Sequence, residues 1–123
     1  RKFVRLGRYI GMIFQLTDDC MDYESTQQEA KKPVQADFGQ NVITLPLIHA
    51  FRELDGLKDR AKSGNVSPEE INEAVRKSGG LSYTRLVAKR YYNKAMSIID
   101  ELELTRFKRE MLLKLLNKSY RII

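Results

Sequence analysis

The residues of this sequence best placed to do chemistry together are Gln15, Asp18, Asp19 and Asp22, in the run Gly11–Met12–Ile13–Phe14–Gln15–Leu16–Thr17–Asp18–Asp19–Cys20–Met21–Asp22. On a helix, Gly11, Gln15, Asp18 and Asp22 fall at i, i+4, i+7 and i+11, a polar stripe with a small residue at one end. Asp19 stands one residue round from Asp18, so the carboxylates share one small volume. Ile10, Ile13, Phe14, Leu16 and Met21 make the remaining surface too apolar for a free helix, so the stripe is expected to face a polar cavity in a helical bundle. Like charges at i,i+4 cost about 0.2–0.5 kcal/mol even in water, and more in a dry cavity. Asp22 also lies near the expected helix C-terminus, where the macrodipole carries roughly half a negative charge. A hard divalent cation such as Mg2+ relieves both penalties, because it prefers one or two carboxylates with water and phosphate oxygens. Taken alone, a D-D-x-x-D string is more often a solvated acidic helix end. The residues around it must decide.

Phe14–Gln15 precede the aspartates in the order F-Q-x-x-D-D-x-x-D. Lys32–Pro33 follow, the lysine ten residues after Asp22; Asp37 comes five residues later, and Thr44–Leu45–Pro46–Leu47 then opens a helix. This succession resembles the second aspartate-rich region of the trans-isoprenyl diphosphate synthases, the polyprenyl synthetase family, over about residues 3–50. The departures are Ser25–Thr26 where the family usually has Gly–Asp, Lys31 and Gln35 where it has glycines, and Asn41–Val42 where it has Gly–Lys. An apolar or amide residue at the last position is similar to long-chain synthases built from two unlike components. The resemblance therefore points nearest to the catalytic component of two-component heptaprenyl diphosphate synthases.

The resemblance implies an all-α bundle and Mg2+-dependent elongation of an allylic prenyl diphosphate with isopentenyl diphosphate. Diphosphate departs, the isopentenyl double bond attacks the resulting carbocation, and a proton is lost. It makes Asp18 a direct metal ligand, with Asp19 and Asp22 ligating directly or through water, these three being the catalytic set. Gln15 and Lys32 become substrate-binding residues, Lys32 through a diphosphate oxygen. Phe14 and Asp37 support the ligands from behind, and Gln15 and Asp37 orient the ion's water. The other expectation from a different class is a non-catalytic helical partner of an active synthase that retains the motif as a relic. Val42 favours that reading, while the intact Phe14–Gln15 and aspartates oppose it. An unrelated cation-binding helical module would require the Lys32, Asp37 and Thr44–Leu45–Pro46 matches to be accidental.

The chain has 123 residues, enough for one domain that buries roughly two thirds of its unfolded surface. Hydrophobic content of 42% and charged content of 31% are those of a soluble globular protein, and apolar runs of only a few residues leave no transmembrane segment. Cys20, the one cysteine, has no internal disulfide partner, which suits a cytoplasmic setting, and is expected to serve packing. The net charge of +6 is scattered over Arg1, Lys2, Arg5 and Arg8, then Lys89, Arg90 and Lys94, then Arg106–Lys118, without a nucleic-acid-binding motif. Nucleic acid is therefore not expected as a partner; a homo-oligomer, or a hetero-oligomer with another synthase subunit, is. The chain opens at Arg1–Lys2–Phe3 already in helical pattern. Residues 1–123 are accordingly expected to be the C-terminal part of a single synthase domain whose first aspartate-rich motif lies upstream, and to be inactive alone.

About five helices are expected to position these residues. The first covers 2–24, with Phe3, Leu6, Ile10, Ile13, Phe14 and Met21 on its apolar side. A polar connector from Ser25 to Val42 carries Lys32, which Pro33 biases towards extended backbone. Thr44 caps a helix running to about Arg60, with His49, the only histidine, as a packed or boundary residue. Ser63–Gly64–Asn65 is a turn, and Ser67–Pro68–Glu69–Glu70 reads as a capping box with proline at the first helical position. That helix stops at Ser78–Gly79–Gly80; Ser82 is expected to cap the next, to about Leu102, and Thr105 the last. Phe107, Met111, Leu112, Leu115, Leu116 and Tyr120 are assigned to the core of that last helix.

Overall fold

The structure, a computed structural model, describes residues 1–24 and 44–121. Lys31, Lys32, Gln35, Asp37 and Val42, and with them the expected connector, lie outside the described residues. Those described form six helices: α1 Lys2–Glu24, α2 Leu45–Glu53, α3 Leu57–Lys62, α4 Pro68–Lys77, α5 Gly80–Glu101 and α6 Arg106–Tyr120. The all-α expectation holds, with one helix more than expected.

The extra helix comes from a break in the segment expected to run unbroken to Arg60. Leu54 turns extended after α2, and Gly56, at φ 82°, takes a left-handed conformation that suits a residue without Cβ. The chain then restarts as α3. Ser82 does not cap α5, which begins two residues earlier. Gly79, at φ 79°, ends α4 in the left-handed region, and α5 follows at once from Gly80. Thr44 has the extended backbone of an N-cap, but its side chain makes no capping hydrogen bond, and its buried hydroxyl has no partner among the described residues.

The expected caps of α4 and α6 are present. Ser67 Oγ accepts from the Glu70 N–H at 3.2 Å, while Glu70 Oε1 accepts from the Ser67 N–H at 2.9 Å. Thr105 Oγ1 accepts from the Lys108 N–H at 3.2 Å. Each such cap is worth about 1 kcal/mol, because it satisfies a helix-end donor that has no partner within the helix.

The fold comprises two compact units. One is Arg1–Asp18 with Arg85–Ile123, the other Asp19–Thr84, so α1 and α5 each contribute to both. In the first, Leu6 and Ile13 of α1, Ala95, Ile98 and Ile99 of α5 and Leu116 of α6 form the core, flanked by Tyr9, Tyr91, Tyr92 and Tyr120. Each large aliphatic chain buried there contributes roughly 1.5–3 kcal/mol. The Tyr92 hydroxyl donates to Asn117 Oδ1 at 2.6 Å, tying α5 to α6. Phe107, Met111 and Leu115, assigned to the core from their spacing, are exposed instead. They lie at i, i+4 and i+8, about 100° and more round from Leu116, which takes the inward side.

In the second unit, Tyr23, Leu47, Ala50, Leu57, Ile71, Ala74 and Val75 pack together. His49 Nε2 lies 3.1 Å from the Ser78 carbonyl, and its ring stacks on Tyr83 with centroids 4.6 Å apart, the packed role expected of it. Cys20 is fully buried, with Sγ 3.9 Å from the Leu81 carbonyl, again as expected.

Candidate metal centre

Helix α1 divides by angle at about 100° per residue. Leu6, Ile13, Leu16, Thr17, Cys20 and Tyr23 fall within one arc and are buried. The opposite arc carries Phe3, Gly7, Gly11, Phe14, Gln15, Asp18, Met21 and Asp22. There Phe3, Phe14 and Met21 are 58%, 50% and 44% exposed, although the sequence places them on the apolar, inward side. The separations of eleven and eighteen residues that link Phe3 to Phe14 and Met21 return nearly to one angle, about 40–60° round from that of Asp18. The acidic stripe and an apolar stripe thus share the open face of α1.

One carboxylate oxygen each from Asp18, Asp19 and Asp22 lies within 4.8 Å of the others. Asp18 is half-buried, Asp19 buried and Asp22 exposed. The cluster depends on α1 alone, since i, i+1 and i+4 on a regular helix put these side chains over little more than one turn. A hard cation with oxygen ligands at about 2.0–2.1 Å separates opposite ligands by about 4.2 Å, so small side-chain rotations would close this set around it. All three donors are carboxylate oxygens, the ligand type that suits a hard divalent cation. Gln15, exposed one turn before Asp19, is on the same open side. Phe14, expected to back the ligands, is on the open face instead, beside Asp18. Lys32 and Asp37 lie outside the described residues.

Spacing within α1 gave no sign of a further group at this site. Thr17, buried beside Asp18, has its hydroxyl 3.0 Å from the Ile13 and Phe14 carbonyls and 3.1 Å from the Ser119 carbonyl, 102 positions away in sequence. The hydroxyl has one hydrogen to donate among them, and the Ser119 contact fastens the end of α6 to α1. Two residues further, Arg121 caps α6 at φ 59° and ψ 38°. This left-handed conformation costs a residue with a Cβ about 1–2 kcal/mol relative to the right-handed one. It directs the Arg121 side chain back along α1. Nη2 reaches 3.5 Å from Asp18 Oδ1, and the guanidinium lies 4.9 Å from the Phe14 ring centroid. No periodicity within either helix could reveal that pair.

The polyprenyl synthetase family profile matches residues 1–78. Over 121 residues the chain is 29% identical to the probable mitochondrial hexaprenyl pyrophosphate synthase of Yarrowia lipolytica, covering 94% of this chain and 27% of that protein. It is 33% identical over 101 residues to heptaprenyl diphosphate synthase component 2 of Bacillus subtilis, covering 78% of this chain and 29% of the relative. The crystal structure of heptaprenyl diphosphate synthase from Staphylococcus aureus superposes with a TM-score of 0.82 at 31% identity, covering 99% of this chain and 40% of that one. The chain therefore spans under a third of the length of these curated relatives. Among the described residues, no helix is long and apolar enough to cross a membrane.

Proposed function

Because this chain belongs to the polyprenyl synthetase family, we propose that it acts in prenyl diphosphate synthesis as a helical partner subunit of a two-component synthase, silent by itself. The observation that carries this reading is that the three carboxylates within 4.8 Å of one another all belong to one helix, α1. A single acidic helix provides ligands from one side only. The opposing ligands, the walls that exclude water and the path for a prenyl chain are not supplied by α1, so the cluster alone does not perform prenyl transfer. Likeness to a protein named as component 2 of a heptaprenyl diphosphate synthase supports a role shared with a further component. Exposed Phe3, Phe14 and Met21 beside the acidic stripe supply an apolar border for such a neighbour.

Asp18, Asp19 and Asp22 would hold Mg2+, which when bound would neutralise diphosphate charge; in the partner-subunit reading the active component carries the metal that assists diphosphate departure. Asp18 is the direct ligand in this reading, with Asp19 and Asp22 ligating directly or through water. Gln15 orients water at the cluster's edge. Lys32 meets a diphosphate oxygen and Asp37 holds water, both as proposed from the sequence pattern. The substrates proposed are an allylic prenyl diphosphate and isopentenyl diphosphate.

The completeness of the acidic cluster favours a second reading, in which these residues are the C-terminal part of the catalytic chain itself. Asp18→Ala in the full-length parent, assayed with its partner present, separates the two. In the partner-subunit reading, incorporation of radiolabelled isopentenyl diphosphate changes less than about tenfold. A loss of several orders of magnitude establishes the catalytic reading. Elongation of an allylic diphosphate by the 123-residue chain alone would refute the proposal that it is silent by itself.

A further inference from the structure

We infer that Arg121 is a positioning residue that makes the acidic cluster selective for a divalent cation carrying a diphosphate over the cation alone. The inference rests on the cluster's binding a divalent cation, which both readings above share. Four observations place the residue. The Thr17 hydroxyl contact at 3.1 Å anchors the Ser119 carbonyl and with it the end of α6. Arg121 then takes the left-handed conformation at φ 59° as the C-cap of α6. Its guanidinium Nη2 lies 3.5 Å from Asp18 Oδ1. Its Cζ also lies 4.9 Å from the centroid of the Phe14 ring, so the guanidinium has both a carboxylate and an aromatic neighbour.

A guanidinium in that place acts oppositely on two ligands. A bare dication seeking Asp18 must displace Arg121 and then sit beside its charge. With surface screening, that repulsion is worth about three- to tenfold in affinity. A dication that arrives with diphosphate brings acceptor oxygens, and the guanidinium can exchange a carboxylate for a phosphate. Its planar fork of N–H donors matches phosphate oxygens better than an ammonium does. The pair with Asp18 is long at 3.5 Å and partly exposed, so the exchange gives up little. Arg121 thus opposes occupation by metal alone and favours the metal–diphosphate complex.

The test uses the full 123-residue chain with Mn2+ and inorganic pyrophosphate as probes, comparing wild type, Arg121→Ala, Arg121→Lys and Asp18→Asn. Free Mn2+ is followed by its electron paramagnetic resonance signal, and radiolabelled pyrophosphate by equilibrium dialysis at saturating Mn2+. Arg121→Ala is expected to tighten Mn2+ binding about three- to tenfold and to weaken Mn2+-dependent pyrophosphate retention by a similar factor. Arg121→Lys is expected to restore the weak metal binding but only part of the pyrophosphate retention. A merely structural role for Arg121 would move both affinities in one direction, and that result overturns the inference. So does Mn2+ binding that is lost in Asp18→Asn yet indifferent to Arg121. Binding no tighter in wild type or Arg121→Ala than in Asp18→Asn would overturn the metal reading of the cluster, and this inference with it.

Discussion

Replacing Gly80 by alanine should destabilise the unit in which α5 begins, although the position is helical and exchange for alanine ordinarily favours a helix. A Cβ built on Gly80 stands 2.5 Å from the Pro46 carbonyl oxygen, 3.2 Å from the Pro46 carbonyl carbon and 3.2 Å from the Val75 carbonyl oxygen. All three are backbone atoms, so none can rotate aside; either α2 or the start of α5 must shift. Overfilling a packed site costs about 1–3 kcal/mol, and the gain in helix propensity offsets about 1 kcal/mol of that. With backbone atoms at all three contacts, the upper part of that range applies, giving a net loss of about 1–2 kcal/mol. For a chain of this size, each kcal/mol moves the melting temperature by about 4 °C, so Gly80→Ala should melt roughly 4–8 °C lower. Gly7→Ala and Gly11→Ala in α1 are the internal controls. Nothing lies within 4 Å of a Cβ at either position, so each should gain about 0.5–1 kcal/mol and melt a few degrees higher. Thermal unfolding by circular dichroism of the three variants against wild type checks both signs. A Gly80→Ala chain as stable as wild type would refute the close approach of Pro46 to α5, and with it the placement of α2 by that contact.

Ser67→Ala removes one half of the capping box and should cost about 1 kcal/mol, measurable by urea denaturation. Glu70 is held below its ordinary value of 4.5, first by the Ser67 backbone N–H and then by the Arg60 guanidinium. Its contribution is thus present above that value and lost as pH falls through the lower, folded one; Glu70→Gln should flatten that stretch of the stability–pH curve. In the full-length parent, Lys32→Ala should weaken diphosphate substrate binding while Lys31→Ala does little. Equal losses in a substrate titration would mean that the segment provides general charge rather than a placed contact. The isolated chain should self-associate through the open face of α1, where Phe3, Phe14 and Met21 are exposed. Light scattering should then show a smaller species for Phe14→Ser, and a wild-type monomer would remove α1 as the associating face.

Much of the candidate site was legible in the sequence because it depends on a single helix. The 3.6-residue repeat alone brings Asp18, Asp19 and Asp22 together, and the flanking Phe14–Gln15 narrows the chemistry that such a cluster serves. The helix starts at Ser67 and Thr105 were legible for the same reason, since a cap and the donor it satisfies lie within three residues. Local pattern could not say which of two apolar arcs on a helix is buried. On α1 Leu6 and Ile13 are taken inward by Ala95, Ile98 and Leu116, leaving Phe3, Phe14 and Met21 outward, and on α6 Leu116 rather than Phe107 or Met111 meets the core. Burial of one stripe against another is settled by the partner helix, which a one-dimensional periodicity does not contain. The break at Gly56 and the start of α5 at Gly80 likewise follow from left-handed glycines and from Pro46 lying against Gly80. Arg121 is the clearest case. Its charge is in the sequence, but its partnership with Asp18 exists only because Thr17 and Ser119, far apart along the chain, meet where α6 ends on α1. Interactions within one helical turn are set by the order of residues, whereas those between helices are set by the packing that chooses which faces meet.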